Sequence, residues 1–350
     1  MKKIQEGKAV IEIDENPKVS RRLEVFYNPI MKLNRDLTIL LLNSVDNKQM
    51  KIADILAGTG VRAIRMRKEL KKGKIKELYV NDLNSIDKIK KNFRLNKAKA
   101  KFSSEDASLF LLKNTGIDYI DVDPFGNPNE FLDSSIKKIS RNGILGVTAT
   151  DTAVLCGTHP STGRRLYWAN TFRNGFMHES ALRILARKVQ LIGMQYEKAL
   201  IPIFSYAKEH YVKVFFRCIK GKKQCDEILK QHKFILYNSM TMDYEISNKN
   251  FKEGYVTIGP LFIGSLNDKN LVKKMVTEDK EAKKLLTTIY NELDVVGSYD
   301  LHQLSKRLKV IVPRFESILN KSKGTRVHYN PNAIKTKLNI KELSKIIKQA

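Results

Sequence analysis

Apolar positions in the first 150 residues fall into short runs closed by polar turn residues, and each run is followed by a stretch with helical spacing. Residues 52–56 read as a buried strand that empties into Ala57-Gly58-Thr59-Gly60-Val61-Arg62, with a helix behind it carried by Ile64, Met66 and Leu70. Residues 78–82 form a second strand before a helix over 85–96, and 102–106 a third before a helix over 107–113. The run 115–120 leads a fourth strand to Asp123, with a helix over 127–139, and 143–149 is a fifth strand. Strand and helix in alternation predict a parallel-rich, Rossmann-like α/β sheet with helices on its faces. Ahead of it, 3–13 alternate loosely around Glu6-Gly7 as a hairpin, and 25–29 are extended because Pro29 biases Asn28 away from helix. A helix then covers 37–43.

Beyond 150 the pattern loosens. Residues 150–174 read as an irregular basic loop bearing His159, Arg164, Arg165, Tyr167 and Trp168. Its two aromatics suit a core between domains; its arginines suit phosphate near the site. A helix over 179–193 packs on the sheet. From about 194 the texture changes: paired strands at 196–206 and 211–219, a helix at 223–231, strands at 234–237 and 255–263, then helices at 267–276 and 280–293. Two short helices at 301–308 and 314–320 precede β-like 325–329 and 334–338, the order of a winged-helix module. The reading is therefore two domains: a cofactor-binding catalytic domain over 1–193 and a C-terminal α+β domain over 194–350. A chain of 350 residues is long for one core.

Composition changes this picture in one respect. Hydrophobic residues make up 42% and charged residues 29%, as in globular proteins, but 64 Lys+Arg against 37 Asp+Glu leave a formal charge of +27. A field of that sign favours polyanions, and nucleic acid first among them. No apolar run is long enough to span a bilayer and the lysine-rich start lacks a signal peptide's apolar core, so cytoplasmic residence is expected. Cys156, Cys218 and Cys225 show no Cys-x-x-Cys spacing, which leaves no zinc ribbon or disulfide framework to expect.

The candidate chemistry sits at four successive strand ends: Gly58-Thr59-Gly60, Asp82, Asp106, and Asp123-Pro124-Phe125-Gly126. Open α/β sheets bind ligands at that edge. A Gly-x-Gly alone is weak, and the third glycine of a dinucleotide fingerprint is missing, with Ala63 near its place. A ribose acid and an adenine acceptor, Asp82 and Asp106, suit S-adenosylmethionine, which has no pyrophosphate to cradle. Asp-Pro-Phe joins a carboxylate, a stiffened backbone and an aromatic face, and looks like the tip used by methylases of exocyclic amino groups. Taken alone, the same residues make an equally good helix cap and core aromatic. A nicotinamide-dependent oxidoreductase accounts for 52–82 but leaves the Asp-Pro-Phe tip and the charge without a role. A non-catalytic RNA-binding protein conflicts with the intact row of acids.

Further runs stand out along the chain: Phe26-Tyr27-Asn28-Pro29-Ile30-Met31 with Leu33-Asn34-Arg35-Asp36, Gly60-Val61-Arg62-Ala63-Ile64-Arg65, Asn81-Asp82 and Asp121-Val122-Asp123-Pro124-Phe125-Gly126. With Tyr206-Ala207-Lys208-Glu209-His210-Tyr211 and Thr325-Arg326-Val327-His328-Tyr329 they extend over nearly the whole chain and carry a resemblance to the tRNA (guanine-26-N2) dimethyltransferases, the archaeal branch in particular. It implies cofactor contacts at Arg35, Arg62, Asp82, Asp106 and Ala107, S-adenosylmethionine as the cofactor and tRNA as the partner. It implies Asp123 at the reacting guanine, Phe26 and Phe125 as stacking faces and Pro124 beside them. After His159-Pro160 relatives often carry a second Cys, whereas this chain has Ser161-Thr162-Gly163, so neither a thiol pair nor a metal is expected; nor is an obligate protein partner. An acceptor at Asp123 suits methyl transfer to an amine, and Asp121, two residues upstream on the same strand face, takes a supporting role.

Overall fold

A hairpin of β1 (Lys2–Glu6) and β2 (Ala9–Ile13) opens the chain, and a 3-10 turn at Pro29–Met31 leads into α1 (Lys32–Ser44). The computed structural model describes residues 2–13 and 27–349; Phe26 lies outside the described residues. Strand and helix then alternate through β3 (Met50–Asp54), α2 (Val61–Glu69), β4 (Ile75–Asn81), α3 (Ile86–Leu95), β5 (Lys101–Ser103) and α4 (Ala107–Lys113). They continue through β6 (Ile117–Val122), α5 (Asn129–Lys138) and β7 (Ile139–Ala149). Two short helices, α6 (Thr152–Leu155) and α7 (Pro160–Tyr167), come before the long α8 (Met177–Met194). The expected loop at 150–174 thus holds two helical segments. Pro160 opens α7 at a first-turn position, where its missing N–H costs nothing.

Next come β8 (Lys198–Lys208) and β9 (Tyr211–Lys220). One seven-stranded sheet has the order β5-β4-β3-β6-β7-β9-β8. Its first five strands are parallel, and β9 runs antiparallel to both β7 and β8. The reading of the sequence placed β8 and β9 in the C-terminal domain. They complete the first sheet instead, with β9 registered on β7 from Ile144↔Arg217 to Ala149↔Val212. The reason lies in β9 itself, which is buried on both faces as an interior strand must be. Val212, Val214 and Phe216 join one core with α5 and α8, whereas Tyr211 and Phe215 join the other with α1, α2 and α3. We propose on this basis that the division between domains falls after Lys220, not after 193.

A helix at Lys222–Leu229 leads to a three-stranded antiparallel sheet of Tyr244–Ser247, His232–Tyr237 and Val256–Phe262, in that spatial order. Helices Lys269–Lys274 and Lys280–Asn291 turn back to cover the α1 side of the large sheet. The last 50 residues form a small module with its own core. Short strands Tyr299–Asp300, Ala333–Lys335 and Thr325–Arg326 pair in that order, and helices Leu301–Leu308 and Phe315–Ser322 pack through Leu304, Ile318, Ile334 and Leu343. This is a winged-helix-like arrangement, with hairpin strands shorter than the pattern suggested. Among the described residues, no helix is long and apolar enough to cross a membrane.

Candidate active site

Neighbouring strands β3 and β6 mark the point where strand order reverses, and a cavity of about 640 Å³ opens at their C-terminal ends. That is the place and the size expected of a ligand site in such a sheet. Its wall includes Arg35, Asp54, Gly58, Arg62, Asp82, Asp123, Pro124 and Phe125.

The glycine turn shapes one side. Gly60, the residue before α2, takes φ 76°, and a Cβ there would lie 3.0 Å from Ile89 and 3.3 Å from Phe93, so both backbone and packing require glycine. The Gly58 N–H donates to Asp82 Oδ2 at 2.8 Å, while Asp82 Oδ1 accepts from the Asn84 and Ser85 N–H groups at 3.1 and 2.9 Å. Three backbone donors therefore aim the Asp82 carboxylate at the end of β4. Asn81 beside it bonds the Ile55 and Glu105 carbonyls at 3.2 and 2.9 Å, which locks three strand ends together. Asp106 and Ala107 follow Glu105 directly but do not line the cavity. Asp106 is exposed, and its Oδ1 caps α4 by accepting from Leu109 N at 2.9 Å.

On the opposite side the Asp-Pro-Phe turn is held by Thr150, at the end of β7. Gly126 N donates to Thr150 Oγ1 at 2.7 Å and Thr150 N to Gly126 O at 2.9 Å. Pro124 is buried, and Phe125 is 40% exposed at the cavity wall. The Asp123 carboxylate is held through Oδ2 by Arg62 Nη2, and among the described residues no hydrogen bond reaches its Oδ1.

Arg62 is the hub beneath. Its Nη1 donates to Asn34 Oδ1 at 2.9 Å, Thr38 Oγ1 at 3.3 Å and Asp121 Oδ2 at 3.2 Å. Asp121 is enclosed and also accepts from Lys213 Nζ at 3.0 Å and Tyr119 Oη at 2.5 Å. Burial pushes its carboxyl up, and the Arg62 and Lys213 charges more than offset this, holding it below the ordinary range. Asp54, the register partner of Asp121 on β3, has the opposite fate. Burial raises its carboxyl to about 7; the charges of Asp121, Asp123 and Asp82 add to this, and Arg62 opposes it. Its Oδ2 is buried without a hydrogen-bond partner among the described residues.

Arg35 reaches the cavity from α1, with its guanidinium paired to Glu6 of the hairpin: Nε–Oε1 2.7 Å and Nη2–Oε2 2.5 Å. It also stacks on the Tyr27 ring, 5.3 Å from its centroid. Arg65 Nη1 contacts the same Glu6 at 2.9 Å. Burial works against the Glu6 anion, but the two arginines prevail and set the carboxyl at about 2.

Of the six residues assigned to cofactor or chemistry, Arg35, Arg62, Asp82 and Asp123 thus line one cavity, and Asp106 and Ala107 do not. Reasoning from the sequence did not single out Lys213, Tyr119 or Asp54. The signal was present for two of them: each is a charge inside an apolar strand, Val212-Lys213-Val214 and Ala53-Asp54-Ile55. Among the described residues, no group of three or more His, Cys, Asp or Glu is placed to hold a metal ion.

Residues 7–348 match the family model described as N2,N2-dimethylguanosine tRNA methyltransferase. A protein of Methanocaldococcus jannaschii named tRNA (guanine(26)-N(2))-dimethyltransferase is 37% identical, covering 99% of this chain and 98% of its own length. One from Aquifex aeolicus, named tRNA (guanine(26)-N(2)/guanine(27)-N(2))-dimethyltransferase, is also 37% identical over 99% of this chain and 95% of its own. Among solved structures, Trm1 from Pyrococcus horikoshii in complex with S-adenosyl-L-methionine matches with a TM-score of 0.90 at 32% identity, covering 99% of this chain and 100% of that one.

Proposed function

Because the chain belongs to the N2,N2-dimethylguanosine tRNA methyltransferase family, we propose that it dimethylates the N2 amine of guanosine 26 in tRNA, with Asp123 acting on that amine. It is a tRNA guanine-N2 methyltransferase that uses S-adenosylmethionine. The observation that carries the finer reading is the meeting of Asp123, Arg62, Asp82 and Arg35 on one cavity at the reversal point of the sheet.

The residues present fit such a cofactor. Asp82 offers a fixed carboxylate for a ribose diol, and the buried, unpartnered Asp54 Oδ2 suits a ligand that carries positive charge. Arg35 and Arg62 would complete the grip, with Asp106 and Ala107 as the adenine-side contacts next along the row of strand ends. When bound, the sulfonium supplies an electrophilic methyl group. The chain's own task is then placement, because displacement at that carbon requires nucleophile and leaving group in line.

Guanine N2 is a poor nucleophile, since its lone pair is delocalised into the ring. Asp123 Oδ1 accepts a hydrogen bond from the amine, biases it towards sp³ geometry and receives or relays its proton. Arg62 holds the other oxygen, and Arg62 is itself fixed by Asn34, Thr38 and Asp121, so the carboxylate is aimed before substrate arrives. The guanine must leave its stack, at a cost of a few kcal/mol that contact with Phe125, and with Phe26 in the undescribed segment, offsets in part. A tRNA substrate also implies cytoplasmic residence.

Incubation of the protein with S-adenosylmethionine and an unmodified tRNA transcript, followed by mass spectrometry of the nuclease digest, tests this reading. N2,N2-dimethylguanosine at position 26 is expected. Transfer at 27 as well would align the chain with the Aquifex relative, monomethyl product alone would remove the second transfer, and no product would refute the reading.

A further inference from the structure

Trp168 is the only tryptophan in the chain and is 46% exposed. It closes α7 in the left-handed region at φ 55°, where a bulky side chain is disfavoured and glycine preferred. Neither the helix end nor the core asks for an indole there. The core position belongs to the preceding Tyr167, which is buried and donates its hydroxyl to Asp151 Oδ1 at 2.6 Å. Of the two aromatics that the sequence offered to an interdomain core, only Tyr167 is in it.

Two cations from α8 meet Trp168, one at its ring and one at its backbone carbonyl. Lys188, itself only 5% exposed, has its Nζ 3.0 Å from the ring centroid and covers one face. Arg187 Nη1 donates to Trp168 O at 3.2 Å, and its buried Nε has no hydrogen-bond partner among the described residues. Burial lowers both groups, Lys188 to about 8, and among the described residues no carboxylate offsets either shift. Arg164 and Arg165 lie exposed on α7 itself. An exposed ring above cations without acid partners has the chemistry of a nucleotide site: the base takes the ring and the phosphate takes the charge. The location agrees. Asn129 Nδ2 donates to Leu166 O at 2.9 Å, which ties the end of α7 to the start of α5, beside cavity-lining Glu130 and Phe131.

Resting on the reading that the substrate is tRNA, we propose that Trp168, Arg164 and Arg187 form a second nucleotide subsite. The exposed face of the indole stacks a tRNA base other than the methylated guanine, the buried Lys188 backs the ring, and the two guanidiniums receive the phosphate.

A single tryptophan makes the test direct, because fluorescence excited at wavelengths beyond tyrosine absorption reports this site alone. The full-length protein is titrated with the unmodified tRNA transcript before S-adenosylmethionine is added, and methyl transfer is then followed in the same sample. Fluorescence should quench as tRNA binds, whereas S-adenosylmethionine alone should leave it unchanged. Trp168→Gly, which suits the left-handed backbone, should raise KM for tRNA about tenfold or more, with the loss falling on KM and not on kcat. Trp168→Phe should recover most of it. Methyl transfer without quenching, or an unchanged KM in Trp168→Gly, overturns the subsite and leaves the methyltransferase reading intact. Absence of both tRNA binding and transfer overturns that reading, and the subsite with it.

Discussion

Lys213 Nζ lies 3.0 Å from Asp121 Oδ1, and neither side chain is reached by solvent. The two strands that carry them are not neighbours, for β7 runs between them. Gly146 on β7 makes the contact feasible. A Cβ there would stand 3.0 Å from Tyr119 Oη, which bonds Asp121, and 3.2 Å from the Phe215 ring. Asn34 Oδ1 accepts from Lys213 Nζ at 3.0 Å and from Arg62 Nη1 at 2.9 Å, so the lysine, the asparagine and the arginine form one buried scaffold under Asp123.

Removing one member of this scaffold leaves a buried charge short of a partner. Lys213→Met should cost about 3–5 kcal/mol in urea unfolding. The double variant Lys213→Met/Asp121→Asn should lose less than the sum of the two single losses, because it removes both charges. Strictly additive losses would show that the pair does not act as a unit.

The Glu6–Arg35 pair sets an acid limit on stability. Glu6 lies at about 2 in the folded protein against an ordinary 4.5, and Glu179 lies at about 2 as well, where Lys335 and Arg183 prevail over burial. A depressed carboxylate contributes fully above its unfolded value and is lost as pH falls through its folded one. Stability should therefore fall from about pH 4.5 towards pH 2. Glu6→Gln should remove part of that slope, on the order of 2–3 kcal/mol, when denaturation is followed across the window. A slope identical to that of the parent protein would argue against the ion pair.

Asp54 acts in the opposite sense. Its folded value of about 7 stands above the ordinary 3.8, so the folded state keeps a proton that the unfolded state has released, and stability declines as pH rises from about 4 to about 7. Asp54→Asn should flatten this decline and raise the melting temperature of the ligand-free protein at pH 8. It should also remove the gain in S-adenosylmethionine affinity expected as Asp54 ionises near pH 7. Calorimetric titration between pH 6 and 8 measures the second effect, and a parent affinity that does not change with pH would refute it.

What the sequence made legible follows from what is local in it. Gly58 and Gly60, Asp82 and Asp123-Pro124-Phe125 were readable because a strand end, a turn and a helix start are encoded within a few residues. The membership of β8 and β9 was not, because a hairpin has the same alternation whichever sheet it joins, and its pairing with β7 is long-range. Lys213 is a cation in an apolar strand yet was not read as part of the site, because its partner Asp121 is 92 residues away. Asp106 shows the converse limit: its Oδ1 caps α4 in the structure, and in the sequence the pattern of a cap and of an adenine contact is the same, so local pattern does not separate the two roles.

The central claim is that Asp123, aimed by Arg62, acts on the guanine amine and not on the cofactor. Single-turnover methyl transfer to unmodified tRNA by Asp123→Asn, paired with calorimetric titration of S-adenosylmethionine, tests it most directly. The rate should fall about 10³-fold or more while cofactor affinity stays within about threefold of the parent's. Transfer at the parent rate would remove Asp123 from the chemistry, and an equal loss of cofactor binding would make it part of the cofactor's grip instead.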